Sequence, residues 1–211
     1  MIRFSSYVRH CLYAAFLLVC APALAADTVM VFGDSLSAAY NLSVEQGWVH
    51  ILARRIESAR LPWKIVNASV TGETTAGGLS RLPEDLRRHQ PSIVVIELGA
   101  NDALRGLPIA GMRKNLEQIV RLAKQARAEP VLVGMMIPPN YGIDYAAQFH
   151  AMYGKLASQA TIPLVPFLLA GLADQPEMFQ ADQLHPTAAA QERIADNVWK
   201  TLEPVLRKKA K

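Results

Sequence analysis

Thr28-Val29-Met30-Val31-Phe32, an unbroken apolar run, stops at Gly33 and gives way to Asp34-Ser35-Leu36-Ser37. A short run with no polar alternation reads as a strand buried on both faces, the kind that parallel sheets contain. The same grammar repeats outward from it. Trp48, Ile51, Leu52 and Ile56 recur at helical spacing behind Ser43, a residue suited to an N-cap, which predicts a helix over 44–60. Lys64-Ile65-Val66 is a second strand running into Asn67, and a helix from Thr75 to His89 follows. Ile93-Val94-Val95-Ile96 is a third strand, closed by Gly99. A helix from Met112 to Arg127, a strand at Val131-Leu132-Val133, a helix from Tyr145 to Ala160, a short strand at Pro163-Leu164-Val165-Pro166 and a helix from Ala188 to Leu206 complete the chain. Strand and helix alternate without repeat or linker. The pattern predicts a single α/β domain whose parallel sheet is covered on both sides.

The chain has 211 residues, 51% hydrophobic and 19% charged, enough apolar material for one core and too much for a disordered chain. Its net charge of +4 hints at nucleic acid only until the charges are located. Arg3, Arg9, Arg207, Lys208, Lys209 and Lys211 lie at the two ends, and without those six, 16 basic residues face 18 acidic ones. The body of the chain has no electrostatic motive for binding nucleic acid. Residues 1–25 read as a secretory signal peptide: a positive segment to Arg9, an apolar stretch over Cys11–Val19, and Ala23-Leu24-Ala25 as the cleavage pattern. The stretch falls short of the about 20 residues a membrane span needs. Cleavage after Ala25 is therefore expected, leaving residues 26–211 as an exported, periplasmic domain with no membrane span. Cys11 and Cys20 would leave with the leader, so stability must come from a core. Val19 before Cys20 argues against a lipoprotein.

In open parallel sheets, ligands bind beyond the carboxyl ends of the strands, and the polar residues gather there. Gly33-Asp34-Ser35-Leu36-Ser37 follows the first strand, Asn67-Ala68-Ser69-Val70-Thr71-Gly72 the second and Gly99-Ala100-Asn101-Asp102 the third, while Asp182-Gln183-Leu184-His185-Pro186 stands late. In that order Ser35, Gly72, Asn101 and His185 resemble the four blocks of the SGNH, or GDSL, hydrolase family, and the likeness runs from Val29 to the C-terminus. Gly33 to Ala38, Glu97-Leu98-Gly99, Leu104-Arg105-Gly106 and Asn140-Tyr141-Gly142 are most similar to its small secreted thioesterase I/lysophospholipase/arylesterase branch. The resemblance implies a flavodoxin-like three-layer α/β/α fold around a mostly five-stranded parallel sheet. It also implies a serine hydrolase that cleaves carboxylic esters and thioesters through an acyl-enzyme, without metal or cofactor. Fatty-acyl thioesters, lysophospholipids and aryl or short-chain esters are the implied substrates, and a monomer is expected. The implied oxyanion donors are the backbone N–H groups of Ser35 and Gly72 and the side-chain amide of Asn101.

The residue chemistry points the same way. A serine hydroxyl is a poor nucleophile until a base accepts its proton, and histidine suits that task near neutral pH. The imidazole then needs a carboxylate to set its tautomer. Asp182 and His185 are three apart, so one turn can bring them within about 7 Å, and Pro186 stops a helix from running back through the loop. Ser35, Asp182 and His185 are the expected catalytic set. Ser37 replaces the second glycine of a Gly-x-Ser-x-Gly elbow, so the nucleophile should sit on a turn without strand-to-helix strain. Ala100 and Glu73 replace a glycine and a shorter aspartate common in the branch, which would alter pocket width or polarity. Asp34, Asp102 and Asn67 read as loop braces, and His50, His89 and His150 as helix residues without metal-ligand spacing. Apolar residues beside the site suggest an acyl groove, with Leu107, Pro108, Ile109, Ile137, Pro138 and Tyr141 as its contacts. Two alternatives stay open: a carbohydrate O-deacetylase of the same fold, and a non-catalytic flavodoxin-like lipid-binding module.

Overall fold

β1 (Asp27–Gly33), β2 (Trp63–Asn67), β3 (Ile93–Glu97), β4 (Glu129–Val133) and β5 (Leu164–Val165) form one sheet in the order β2-β1-β3-β4-β5. Every adjacent pair is parallel. This is a computed structural model, and it describes residues 27–210. The expected signal peptide at 1–25, with Cys11 and Cys20, lies outside the described residues. Strands buried on both faces are what the apolar runs demand: Val29 to Phe32 and Ile93 to Ile96 are wholly inaccessible to solvent.

α1 (Trp48–Ser58) and α6 (Gln191–Lys209) pack together on one face, while α2 (Thr75–His89), α4 (Ile109–Gln125) and α5 (Ile143–Ala160) cover the other. The result is the three-layer flavodoxin-like architecture. Among the described residues no helix is long and apolar enough to cross a membrane. β1 connects to β2 on one side, and the chain then crosses to β3 on the other. The crevice between the ends of β1 and β3 is the topological switch point, where open α/β sheets carry their ligands.

Three local readings need correction. Ser43 does not cap a continuous helix: its N–H donates to Gln46 Oε1 at 3.1 Å in a separate 3-10 turn, Val44–Gln46. Gly47, extended at ψ 148°, then interrupts the chain before α1 begins at Trp48. A one-turn helix, α3 (Ala100–Leu104), follows β3 where a loop was expected. Finally, α4 starts at Ile109, with Pro108 as its N-cap residue, extended at φ −62° and ψ 125°. Residues 107–109 are therefore a helix entry and not a free apolar loop.

Candidate active site

The chain leaves β1 at Gly33 and coils at once: the N–H groups of Ser37 and Ala38 both donate to the Asp34 carbonyl, at 3.2 and 2.9 Å. Asp34 braces the turn with its side chain, Oδ1 accepting from Leu36 N–H at 3.0 Å. Two further groups pin the loop from outside. The Trp48 indole N–H donates to the Leu36 carbonyl at 3.0 Å, and Asn67 Nδ2 donates to the Ser37 carbonyl at 2.8 Å. Ser35 keeps a negative φ, unlike Ala39 and Asn41 further along. The turn is indeed free of the strain of a nucleophile elbow.

The late loop delivers the partners. His185 Nε2 lies 2.9 Å from Ser35 Oγ, and His185 Nδ1 lies 2.7 Å from Asp182 Oδ2. Asp182 Oδ1 accepts the N–H groups of Leu184 and His185 at 2.9 and 3.0 Å, which locks the carboxylate beneath the ring. Those bonds, that of His185 foremost, draw the Asp182 carboxyl down to about 2. An ionised Asp182 accepts a hydrogen bond from Nδ1–H, which fixes the tautomer so that Nε2 presents its lone pair to the serine hydroxyl. The set can therefore move a proton off Ser35 and hold the resulting imidazolium.

Sequence reasoning missed three supports of this geometry. The Tyr40 ring lies against the His185 ring, with centroids 4.2 Å apart and planes 34° from parallel. Gln180 Nε2 donates both to the Tyr40 carbonyl (3.0 Å) and to the Pro186 carbonyl (3.1 Å), clasping the serine loop to the histidine loop. Glu97, wholly buried at the end of β3, accepts from Ser37 Oγ at 2.7 Å and from Asp34 N–H at 3.3 Å. A lone glutamate ending an otherwise apolar strand was the one available signal. Nothing in the sequence marked Tyr40 or Gln180.

Asn101 stands on the first turn of α3, where Nδ2 donates to Asp34 Oδ2 at 3.0 Å and leaves its second hydrogen available. Gly72 occupies the third position of a turn closed by Glu73 N–H on the Val70 carbonyl at 3.1 Å. Its φ of 78° is what requires glycine, for there is open space where a Cβ would stand. Neither Ser35 N–H nor Gly72 N–H donates to another described residue. Asp102 braces as expected, Oδ2 accepting Thr75 N–H at 2.8 Å and Oδ1 the Thr75 hydroxyl at 2.6 Å.

Ser35, Asn101 and His185 open onto a cleft of about 490 Å3. Its walls are chiefly apolar, with Leu104, Met135, Ile137, Pro138, Phe167 and Phe179 prominent. Ile137 and Pro138 thus lie where the sequence placed them. Leu107, Pro108, Ile109 and Tyr141 do not line the cleft, and neither does Gly72. The reason is α3: one helical turn carries Leu104 onto the Asn101 face and directs the following residues away. Tyr141, in a 3-10 turn, is exposed instead. The segment 167–179, absent from the sequence reading, supplies the opposite wall. A groove of similar size between α4 and α5 is lined by no serine, cysteine or histidine. Among the described residues no three His, Cys, Asp or Glu converge as metal ligands.

A model of the GDSL-like lipase/acylhydrolase family matches residues 31–193, which spans all four blocks. The chain belongs to that family. This GDSL hydrolase is 46% identical over 182 residues to the esterase TesA of Pseudomonas aeruginosa, covering 86% of this chain and 90% of that one. It is 40% identical over 207 residues to thioesterase 1/protease 1/lysophospholipase L1 of Escherichia coli K12, covering 98% of each. Among solved structures, the psychrotrophic esterase EstA from Pseudoalteromonas, inhibited by monoethylphosphonate, superposes with a TM-score of 0.82 at 36% identity, over 86% of this chain and 99% of that one.

Proposed function

We propose that Ser35 is the nucleophile through which this GDSL hydrolase cleaves carboxylic esters and thioesters. His185 accepts the serine proton as Oγ attacks the acyl carbonyl, and Asp182 holds the imidazole in the productive tautomer. The oxyanion is received by the N–H groups of Ser35 and Gly72 and by the Asn101 amide. His185 then returns the proton to the departing alkoxide or thiolate, leaving an acyl-Ser35 ester. Water activated by the same histidine hydrolyses that ester and restores the hydroxyl.

The observation that carries the reading is the 2.9 Å contact between His185 Nε2 and Ser35 Oγ beside an apolar cleft. A chiefly apolar wall suits an acyl chain more than a sugar, so medium-chain acyl thioesters, aryl esters and lysophospholipids are the proposed substrates. The working compartment is the periplasm, reached by way of the segment at 1–25. Ser35→Ala decides the assignment: the folded variant is expected to lose turnover and stoichiometric labelling by a fluorophosphonate. Wild-type rates in a folded Ser35→Ala protein would remove Ser35 as nucleophile.

A further inference from the structure

We propose that Glu97 is a positioning residue for the oxyanion site, its buried carboxyl holding Asp34 and, through Asp34, the Asn101 amide. The inference rests on Asn101 being an oxyanion donor, which Asn101→Ala tests by itself.

The contacts run in an unbroken chain. Glu97 Oε2 accepts the Ser37 hydroxyl and the Asp34 N–H, which sets the buried Glu97 carboxyl against Asp34. Asp34, only 1% exposed, spends Oδ1 on Leu36 N–H and Oδ2 on Asn101 Nδ2, each at 3.0 Å. Glu97 Oε1 has no partner among the described residues. Two buried carboxyls in contact cannot both ionise without strong repulsion. Burial, then the charge of Asp34, pushes Glu97 well above the ordinary range, while burial raises Asp34 to about 6. The pair therefore favours one proton held between the two carboxyls over two negative charges. Asp34 Oδ2 in turn orients Asn101, which has one N–H on Asp34 and the other free toward the cleft.

Among the described residues no Lys or Arg pairs with Glu97 or Asp34. Tyr153 of α5 donates its phenol to the Leu98 carbonyl at 3.0 Å and is itself pushed up by burial and by Glu97. Asp102 of α3 adds negative charge, and His185 faces Asp34 from the late loop. Arg81, over the Phe32 ring, is paired with Glu73 and Asp85. Ionising Glu97 would therefore set two carboxylates against one another and displace Asp34, and Asn101 with it.

The test compares kcat and KM on a p-nitrophenyl ester for wild type, Glu97→Gln, Glu97→Leu, Asn101→Ala and Asn101→Ala/Glu97→Leu, from about pH 6 to about pH 10. Glutamine can donate to Asp34 and accept from Ser37, yet cannot ionise. Glu97→Gln is expected to keep neutral-pH kcat within about twofold and to lose an alkaline decline expected of the wild type. Glu97→Leu should lower kcat about tenfold or more with KM little changed, and should lower it no further in the Asn101→Ala background. An alkaline limb unchanged in Glu97→Gln, or an equal Glu97→Leu penalty in both backgrounds, overturns the proposal. If Glu97→Leu does not fold, the Glu97→Gln pH profile alone decides. Wild-type kcat in Asn101→Ala overturns the oxyanion reading instead, and shows in that single variant.

Discussion

Asn101→Ala removes two interactions that can be read separately. The first is the cleft-facing N–H. Loss of one oxyanion donor typically costs about 2.7–4 kcal/mol of transition-state stabilisation, so kcat should fall by about 10²–10³ with KM nearly unchanged. The second is the 3.0 Å bond to Asp34 Oδ2, an oxygen on a residue only 1% exposed. Leaving a buried acceptor unpaired costs about 1–3 kcal/mol. In a domain of this size each kcal/mol moves Tm by about 2–4 °C, so a central figure of about 2 kcal/mol predicts a drop of about 4–8 °C. The stability loss should itself depend on pH. The Asn101 bond favours ionised Asp34, whose carboxyl burial has raised to about 6, so the penalty is full above that pH and shrinks below it. Steady-state kinetics on a p-nitrophenyl ester and thermal melts at two pH values measure both effects. An elevated KM at unchanged kcat would make Asn101 a ground-state binding residue, and an unchanged Tm above neutral pH would refute the bond to Asp34.

Cleft selectivity is expected to follow acyl length. Each buried methylene contributes about 0.8 kcal/mol, roughly fourfold in kcat/KM, until the wall ends. Ile137→Asn should flatten that dependence while sparing acetate, and Ile109→Asn, outside the cleft, should not. A rate falling steadily from acetate through longer p-nitrophenyl esters would instead favour a deacetylase. Asp182→Asn should lower kcat by about 10²–10⁴ through the wrong imidazole tautomer, and near-wild-type turnover would contradict the assignment. Gly33→Ala places a Cβ 2.7 Å from Glu97 Oε2 and 2.7 Å from Ser37 Oγ, so chemical denaturation should show a loss of about 1–3 kcal/mol; an unchanged midpoint would refute the crowding. Because the folded state raises the affinity of Glu97 for its proton, its contribution to stability is full below the ordinary value of 4.5 and is lost as pH rises toward the folded value. Glu97→Gln should flatten that slope in denaturant melts across this range, and an unaltered slope would assign it to other groups.

The parallel sheet was legible because runs such as Val29–Phe32 and Ile93–Ile96 have no polar face, and only strands covered on both sides can hide them. Ser35, Asp182 and His185 were legible because their chemistry sits at a strand end and at a turn spacing, which are properties of the chain itself, whereas Asn101 was legible only through the resemblance to the family. Leu107, Pro108 and Ile109 were legible only as apolar residues following Asn101, and Tyr141 only as one following the fourth strand. Whether the first three reach the cleft depended on a single helical turn, α3, too short to declare itself by periodicity, and Tyr141 is turned outward by its own 3-10 turn. The contacts of Tyr40 with His185 and of Gln180 with Tyr40 join the two ends of the chain, and no spacing rule links positions 140 residues apart. Glu97 differs again. Its place at the end of β3 is written in the sequence, but its proton belongs to the tertiary structure, because only the packing that buries it against Asp34 makes a neutral acid more stable there than a second negative charge.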